Sequence, residues 1–323
     1  MRHIHAPKGR TRIGISVLAI STLFAGTACG TSPKTVTGER VANSNSPVTA
    51  TADVQKELRK LETSYQGRIG AYAIDTGTGK TVGYRAHERM PSNSTFKAIL
   101  CGAVLHKART ADPGLMSRTF HWTKEDVVDS SPVTGTDENI KNGLTAAQLC
   151  EATITTSDNT AANVLLKQVV GGPAGMTRYY RSLGDPAGRL DRYETELNHW
   201  NPGEKHDTIM PACMARDLEK LTVGTALVAE DRQQLTTWLK ATDTGDERIR
   251  AGVPQGWIVG DKTGTADGWY AAADDIAIAW PPSGGAPVII AIFTHRDAKD
   301  AAFDNRVLAK TTTILMRGLG KTA

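Results

Sequence analysis

Residues 257–294 read WIVGDKTGTADGWYAAADDIAIAWPPSGGAPVIIAIFT and hold three β-rich runs in one short stretch. The runs cover 257–261, 273–280 and 288–294, and glycine or proline residues lie between them. Short apolar runs that are bounded in this way are typical of neighbouring strands. The stretch therefore predicts one half of a β-sheet near the C-terminal end of the chain.

The N-terminal part of the chain supplies the other half. Residues 69–74 and 81–84 predict a β-hairpin whose connection contains two glycines. Amphipathic helices are predicted at 54–65, where Val54, Leu58, Leu61 and Tyr65 recur at helical spacing, and at 304–316. We therefore expect an antiparallel sheet that is flanked by helices and built from both chain ends.

The middle of the chain has mostly helical patterns. The predicted helices cover 95–107, 145–154, 160–169, 212–221 and 230–239. These segments predict an all-helical lobe at 94–237, inserted into an α/β lobe formed by 51–93 and 238–323. The fold class is α/β (α+β), and the cleft between the lobes is the expected active site.

The first 28 residues have the pattern of an export signal. Four basic residues and no acid accompany an apolar run at 13–26, which is too short to span a membrane. We predict a signal peptide at 1–28 and a flexible tether at 29–50. Small residues before Cys29 resemble a bacterial lipoprotein signal, so Cys29 is a candidate for lipidation, with cleavage elsewhere as the alternative. The predicted product is exported, either secreted or tethered to the membrane as a cell-envelope lipoprotein.

Composition narrows the range of partners. The 323 residues include 38 Lys and Arg against 34 Asp and Glu, a formal net charge of +4. The leader accounts for this excess, because Arg2, Lys8, Arg10 and Arg12 all lie in it. The remaining chain is formally neutral, so we expect no nucleic-acid partner. A hydrophobic content of 40% with 22% charged residues is typical of a globular chain and excludes a disordered one.

Ser94 and Lys97 lie three positions apart at the predicted start of a helix. This spacing places both side chains on one face, and partial burial of an amine lets it relay a hydroxyl proton. Backbone N–H groups at a helix N-terminus also favour an oxyanion. The pattern indicates a nucleophilic serine, although the two residues alone are more typical of a helix cap and a surface lysine.

Two further motifs strengthen that interpretation. Ser157-Asp158-Asn159 precedes a predicted helix, and Lys262-Thr263-Gly264 ends a predicted strand. In this order the three motifs are the signature of penicillin-binding proteins and class A β-lactamases. The chain resembles class A serine β-lactamases over most of residues 50–320. The closest segments are 94–107, 144–173, 189–208 and 248–282.

The resemblance implies a role for each motif residue. Ser94 would be acylated by the lactam carbonyl, Lys97 would accept or relay its proton, and Ser157 would pass a proton to the leaving nitrogen. Backbone N–H groups of Ser94 and Thr265 would form the oxyanion hole. The implied contacts with a small β-lactam substrate are Asn159 at its acylamide side chain and Lys262, Thr263, Gly264 and Thr265 at its carboxylate end.

Residues 189–198, RLDRYETELN, resemble the family's Ω-loop, which we place at 188–207. In that loop Glu194 and Asn198 would hold and activate the water that hydrolyses the acyl-enzyme, and a carboxylate is a suitable general base. Arg192 and Asp207 match the pair that pins the loop in the family. A solvated acidic loop is the alternative interpretation.

Three further features complete the predicted site. Arg248 stands where some relatives supply a guanidinium to the substrate carboxylate, a planar fork that suits this anion, with an ordinary exposed charge as the alternative. Cys101 and Cys150 match positions that form a disulfide in many members of the family.

No His-Glu-x-x-His or CxxC spacing is present, so we predict no metal and no other cofactor. We expect a monomer.

Two other functions share much of this chemistry. A D-alanyl-D-alanine carboxypeptidase has the three motifs, but such enzymes do not resemble this Ω-loop. A lactam-binding sensor that stays acylated is usually coupled to a transmembrane or signalling segment, and none is visible in the sequence. The sequence therefore favours a class A serine β-lactamase, which hydrolyses the amide bond of penicillins and related antibiotics and confers resistance.

Overall fold

A five-stranded antiparallel sheet lies at the centre of the protein. The computed structural model describes residues 47–322, and the strand order of the sheet is β2-β1-β9-β8-β7. In chain order the strands are β1 (Gly67–Asp75), β2 (Thr81–Tyr84), β3 (Met90–Pro91), β4 (Thr119–Phe120), β5 (Leu144–Thr145), β6 (Thr208–Ile209), β7 (Ile258–Ala266), β8 (Ala272–Trp280) and β9 (Val288–Arg296). The N-terminal strand β1 pairs along its whole length with the C-terminal strand β9. The predicted sheet built from both chain ends is confirmed.

Helices cover both faces of this sheet. In chain order they are α1 (Pro47–Tyr65), α2 (Phe96–Thr110), α3 (Asp137–Asn142), α4 (Ala146–Thr155), α5 (Asn159–Leu165), α6 (Gly172–Ser182), α7 (Pro211–Thr222), α8 (Ala229–Lys240), α9 (Ile249–Gly252) and α10 (Asn305–Leu319). The terminal helices α1 and α10 pack on one face, and α7 packs on the other face, with the helices of the inserted segment around it.

The alternation of side chains along the strands divides the core in two. Ile290 and Ile292 of β9 join the cluster under α1 and α10, whereas Ile289 and Phe293 join the cluster on the opposite face. Successive side chains of a strand point to opposite faces, so a strand buried on both sides needs apolar residues throughout. The continuous apolar run of β9 reflects its central position.

Local sequence signals fix where several helices begin. Thr145 and Gln148 form a reciprocal capping box at the start of α4. Asp158 caps α5 by accepting from the Ala161 N–H at 2.8 Å. Pro211 occupies the first turn of α7, where its missing N–H is not needed. Of these caps, Asp158 is the one next to the Ser157 turn, and it starts α5 directly after it.

The structure corrects several predicted boundaries. Helix α1 begins at Pro47, so residues 47–50 are helical and do not belong to the predicted tether. Strand β7 continues to Ala266, beyond the predicted end at 261, because it pairs with β8 throughout although its sequence turns polar. Helix α6 was not predicted, because its sequence opens with glycine and proline. The predicted lobe boundary at 237/238 falls inside α8.

The signal peptide predicted at 1–28, Cys29 and most of the tether lie outside the described residues. Within residues 47–322, no helix combines the length and apolar character that crossing a bilayer requires.

Candidate active site

Ser94 lies in a single 3₁₀ turn, Asn93–Thr95, that leads directly into α2. Asn93 has a φ of +39° and donates from Nδ2 to Asp274 Oδ2 of β8 at 2.6 Å, which fixes the turn against the sheet. Gly264 of β7 approaches from the other side, because a Cβ there would lie 3.1 Å from the Ser94 nitrogen. The predicted nucleophile is therefore held between the sheet and a helix N-terminus, and Gly264 makes the close approach of β7 sterically feasible.

Lys97 occupies the first turn of α2 and is completely buried. Its Nζ donates to Ser157 O at 2.7 Å and to Asn159 Oδ1 at 2.5 Å, and it lies 3.1 Å from Glu194 Oε1. Burial lowers the pKa of Lys97, and the Glu194 carboxylate opposes that shift. An ammonium group has three N–H donors, and these three acceptors match them.

The Ser94 hydroxyl donates directly to Glu194 Oε1 at 3.0 Å. Glu194 Oε2 accepts from Asn198 Nδ2 at 3.0 Å. Asn163 fixes the main chain of Glu194 in both directions, since its Oδ1 accepts from Glu194 N at 3.0 Å and its Nδ2 donates to Glu194 O at 2.8 Å. The resemblance implies Lys97 as the proton acceptor of Ser94, whereas in the structure the Ser94 hydroxyl donates to Glu194, and Lys97 contacts the same carboxylate oxygen.

Ser157 sits between the two buried lysines. Its φ is +58°, and its Oγ accepts from Lys262 Nζ at 3.0 Å and, more weakly, from Lys97 Nζ at 3.4 Å. Lys262 is completely buried, and burial together with the charge of Lys97 lowers the pKa of Lys262 to about 7. Asp158 organises this turn by accepting from Thr134 Oγ1 at 2.5 Å. The Ser157 hydroxyl is therefore hydrogen-bonded to an amine on either side.

Arg248 is buried and mostly engaged with the protein. Its Nη1 donates to Gly264 O at 2.8 Å and Asp274 O at 2.7 Å, and its Nε donates to Asn305 Oδ1 at 2.8 Å. Its Nη2 donates to Thr265 Oγ1 at 2.6 Å. Because a guanidinium has five N–H donors, one Nη2 hydrogen remains for a ligand. The alternative of an ordinary exposed charge is therefore wrong.

The Ω-loop is pinned at its base as the sequence predicted. Arg192 Nε donates to Asp207 Oδ2 at 2.6 Å, while Asp207 Oδ1 accepts from the main-chain N–H groups of Asp191 and Arg192. Asp207 is completely buried. Charge-assisted hydrogen bonds of this kind are about twice as strong as neutral ones, so the loop is closed by a strong contact.

The disulfide between Cys101 and Cys150 is confirmed. It joins α2 to α4 with the two Cα atoms 5.6 Å apart. Both cysteines are completely buried, and Cys101 lies in α2 one turn after Lys97. Cys213 of α7 is a free, half-buried thiol.

The predicted residues surround one cleft of about 410 Å³. Its lining residues are Ser94, Ser130, Thr156, Ser157, Asn159, Thr195, Asn198, Thr244, Arg248, Thr263, Gly264, Thr265 and Asp267. Lys97, Glu194 and Lys262 are buried beside it and contact its lining serines. A cleft between the sheet and the helical segment is thus where the sequence-predicted site residues meet.

Three residues of the site had no predicted role. Asn163 holds Glu194, Thr244 shares a hydrogen bond of 2.6 Å between hydroxyls with Thr263, and Asp274 anchors the Ser94 turn through Asn93. All three act on residues far away in the sequence, so no local spacing could indicate them. Within residues 47–322, no cluster of His, Cys, Asp and Glu side chains has the geometry of a metal site.

Comparisons with known proteins agree with this geometry. A model of the "Beta-lactamase enzyme family" matches residues 53–317. The chain is 44% identical over 311 residues to β-lactamase AST-1 of Nocardia asteroides, and the match covers 96% of each chain.

Solved structures give the same result. A β-lactamase from Streptosporangium roseum is 59% identical, with a TM-score of 0.81 over 84% of this chain and 99% of that chain. A class A β-lactamase described as the last common ancestor of Gram-negative bacteria is 43% identical, with a TM-score of 0.76 over 82% and 99% of the two chains.

Proposed function

The chain belongs to the β-lactamase enzyme family, and from that premise we propose that Ser94 and Glu194 carry its reaction through an acyl-enzyme. The protein is a class A serine β-lactamase that hydrolyses the β-lactam amide bond and thereby confers resistance to such antibiotics. The observation that carries the proposed mechanism is the contact of Ser94 Oγ and Lys97 Nζ with one oxygen of Glu194, at 3.0 and 3.1 Å.

Acylation begins with the Ser94 hydroxyl. Its Oγ attacks the lactam carbonyl carbon while its proton passes to Glu194 Oε1, and the lactam C–N bond breaks as the tetrahedral intermediate collapses. The leaving nitrogen needs a proton, which Ser157 Oγ delivers and regains from Lys97, while Lys97 regains its own from Glu194. Lys97 Nζ lies 3.1 Å from Glu194 Oε1 and 3.4 Å from Ser157 Oγ, which supports this relay.

The remaining charges match an anionic substrate. Lys262, Thr263 and Thr265 lie along β7 beside Ser94, and Arg248 offers its remaining Nη2 hydrogen there. The N–H groups of Ser94 and Thr265 would hold the carbonyl oxygen as negative charge develops on it. Asn159 has one Nδ2 hydrogen left after donating to Asp129 O, and we assign it to the acylamide side chain.

Deacylation requires a water that Glu194 deprotonates. Asn198 is suited to hold that water, because its Oδ1 is buried and finds no donor among residues 47–322. Its Nδ2 already binds Glu194, so one side chain would orient both the water and its base. This pair supports a hydrolase over a carboxypeptidase, because carboxypeptidases that share the three motifs do not resemble this Ω-loop.

We also propose that the protein is exported and acts as a monomer. The export signal predicted at 1–28 supports export, and the residues before Cys29 support lipidation at that cysteine as one alternative to secretion. Intact-mass measurement of the protein isolated from its host would distinguish the two forms.

The mechanism is tested with Ser94→Ala and Glu194→Ala. We expect Ser94→Ala to abolish turnover of a chromogenic cephalosporin and to form no adduct. Glu194→Ala is expected to accumulate an acyl adduct visible by intact-protein mass spectrometry, because Lys97 loses its ion-pair partner and can then accept the Ser94 proton. Full turnover by either variant would contradict the assigned role. Thr63→Ala, an exposed change on α1, serves as the control.

A further inference from the structure

Four aromatic rings connect the Ω-loop to the turn between β7 and β8. His199 stacks on Trp269 with ring centroids 4.6 Å apart and an interplanar angle of 25°. Trp200 meets Tyr270 edge-on, with centroids 6.3 Å apart at 76°. Two neighbouring loop residues thus contact two neighbouring turn residues. We call His199, Trp200, Trp269 and Tyr270 the aromatic strap.

The turn side of the strap is anchored to the segment that follows β9. Lys299 Nζ lies 3.9 Å from the centroid of the Trp269 ring. Tyr270 N donates to Lys299 O at 2.9 Å, and Arg296 N donates to Tyr270 O at 2.6 Å. A cation over an indole face and stacked aromatic rings are both favourable contacts. Trp269 is therefore held from two separate parts of the chain.

The loop side of the strap lies next to the catalytic pair. His199 directly follows Asn198, whose Nδ2 binds Glu194, and the carbonyl of His199 accepts from Arg192 Nη1 at 3.0 Å. Trp200 is buried and donates from Nε1 to Glu204 O at 3.1 Å. A movement of His199 away from the turn would therefore move Asn198.

The strap also sets the separation of two walls of the cleft. Thr195 and Asn198 line the cleft from the loop, whereas Thr265 and Asp267 line it from β7 and its turn. Asn163 of α5 fixes the Glu194 main chain from the helical side. The strap fixes the same loop from the sheet side, where Asn198 faces the cleft.

We propose that Trp269 is a positioning residue for deacylation, because its stack on His199 holds Asn198 where the hydrolytic water must bind. The proposal rests on the roles of Glu194 and Asn198 given above. Acylation uses Ser94, Lys97 and Glu194, whose contacts with one another are also supported by Asn163 and do not involve the strap. Loss of the strap should therefore slow deacylation far more than acylation.

The test compares Trp269→Ala and Trp269→Phe with the parent enzyme in stopped-flow and quenched mass-spectrometric assays of a chromogenic cephalosporin. We expect Trp269→Ala to slow deacylation about tenfold, with acylation within about twofold, so that the acyl-enzyme accumulates during turnover. Trp269→Phe should restore most of the deacylation rate, because it keeps a ring on His199. Equal slowing of both steps, or a phenylalanine variant as slow as the alanine variant, would overturn the proposal.

Trp280→Ala is the matched control. Trp280 ends β8 away from the strap and also carries a lysine on its ring, with Lys240 Nζ 4.1 Å from the centroid. It should deacylate at the parental rate, and the same defect in Trp280→Ala would contradict a specific role for Trp269.

His199→Ala removes the same stack from the loop side. It replaces Trp269→Ala in the test if that variant does not fold. It should slow deacylation to the same extent, and the double variant should be no slower than either single variant. Additive effects would show that the two rings do not act together. Glu194→Ala in the same assay separates the two proposals, because its failure to accumulate an adduct would remove the water-activating pair whatever Trp269 does.

Discussion

Among the buried charged side chains of residues 47–322, two clusters make an informative comparison, one at the base of the cleft and one between α6 and α7. The cleft cluster alternates in sign, because Lys97 and Lys262 lie with Glu194 among hydrogen-bond partners. The second cluster contains two carboxyl groups in contact, those of Asp185 and Asp217. Both clusters are almost inaccessible to solvent, so each must compensate for the loss of hydration.

In the carboxyl pair, protonation of Asp217 compensates for the loss of hydration. Asp185 accepts from the N–H groups of Ala187 at 2.6 Å and Gly188 at 2.8 Å. Neither oxygen of Asp217 has a donor among residues 47–322. Burial, reinforced by the charge of Asp185, raises the pKa of Asp217 to about 9. At that pKa Asp217 is protonated at pH 7, which removes the repulsion between the two carboxyl groups.

The difference shows two solutions to one problem. Where the reaction needs charged groups, the protein buries them as pairs of opposite sign. Removal of one partner leaves the other as a buried charge whose desolvation penalty is no longer compensated. Asp185 has a structural role, because it binds the residues at which the Ω-loop starts. There, protonation of the neighbouring carboxyl group is sufficient to offset the loss of hydration. The two clusters should therefore respond in opposite directions to neutral substitutions.

The largest effect is expected for Lys97→Met. The substitution leaves Glu194 buried without its ion-pair partner, and such a loss costs about 3–5 kcal/mol of the free energy of unfolding. Turnover should fall about 1,000-fold, since the proton relay is removed. Urea unfolding and cephalosporin hydrolysis measure the two effects.

The double variant Lys97→Met with Glu194→Gln is the control for that loss. It removes both charges, so we expect it to regain most of the stability while remaining inactive. If Lys97→Met unfolds at the parental urea concentration, the buried pair does not contribute to stability as the geometry indicates.

Asp217→Asn should change the free energy of unfolding in the opposite direction and stabilise the protein. The native state holds the Asp217 proton up to a pKa of about 9, whereas the unfolded chain loses it near the ordinary value of 3.8. This group's contribution to stability therefore falls as the pH rises from about 4 to 9. Asparagine keeps a donor toward Asp185 without that loss, so we expect a gain of about 1–3 kcal/mol at pH 7.

Thermal unfolding at pH 5 and pH 8 checks this expectation, because the gain should be larger at pH 8. Asp185→Asn is the matched control and should destabilise the protein, since asparagine keeps only one of the two oxygens that accept main-chain N–H groups and places an NH2 group against the other N–H. A gain for Asp217→Asn that does not change with pH would mean that Asp217 is not the titrating group.

The contrast between the clusters also marks the limit of sequence-based prediction. The motifs around Ser94, Ser157 and Lys262 were predictable because each has a fixed local spacing, and the chain brings all three to one cleft. The sheet was predictable because each long strand contains an apolar run, as in the second half of β8 and most of β9. Both signals are local in sequence and need no knowledge of distant contacts.

The features that the sequence did not predict depend on contacts between residues that are distant in the chain. Ser94 donates to Glu194, which lies 100 positions away, and nothing in the Ser94-Lys97 spacing distinguishes that acceptor from Lys97. Asp185 and Asp217 look like ordinary surface acids in the sequence, although both are buried. Helix α6 was missed because its buried contacts, Met176 and Tyr180, are too few to form a clear apolar stripe.

A smaller effect is expected from the pH dependence of the cleft cluster. The pKa of Lys262 is lowered to about 7, so the amine loses its charge as the pH rises through that value. In the proposed binding mode the substrate carboxylate needs the charged form of Lys262, and kcat/KM reports the ionisation of the free enzyme. We expect kcat/KM to fall above pH 7, approaching tenfold per pH unit.

Measurement of kcat/KM between pH 6 and pH 9 tests this fall. Lys262→Arg keeps its charge throughout that range, so its profile should be flatter than that of the parent even if its activity is lower. A parental profile that is level to pH 9 would contradict the role of the Lys262 charge in binding.

The smallest effect concerns Cys213, which reports on the carboxyl pair without contributing to turnover. Burial and the adjacent charge of Asp185 raise the pKa of the Cys213 thiol to about 12, so almost none of it is thiolate at pH 8. Iodoacetamide should therefore alkylate the native protein at least about 100-fold more slowly than the urea-unfolded protein, with activity unchanged. Asp185→Asn should speed native alkylation because it removes that charge, whereas Thr222→Ser at the end of α7 should not. An equal rate in Asp185→Asn and the parent would show that Asp185 does not carry the negative charge on which the contrast between the two clusters depends.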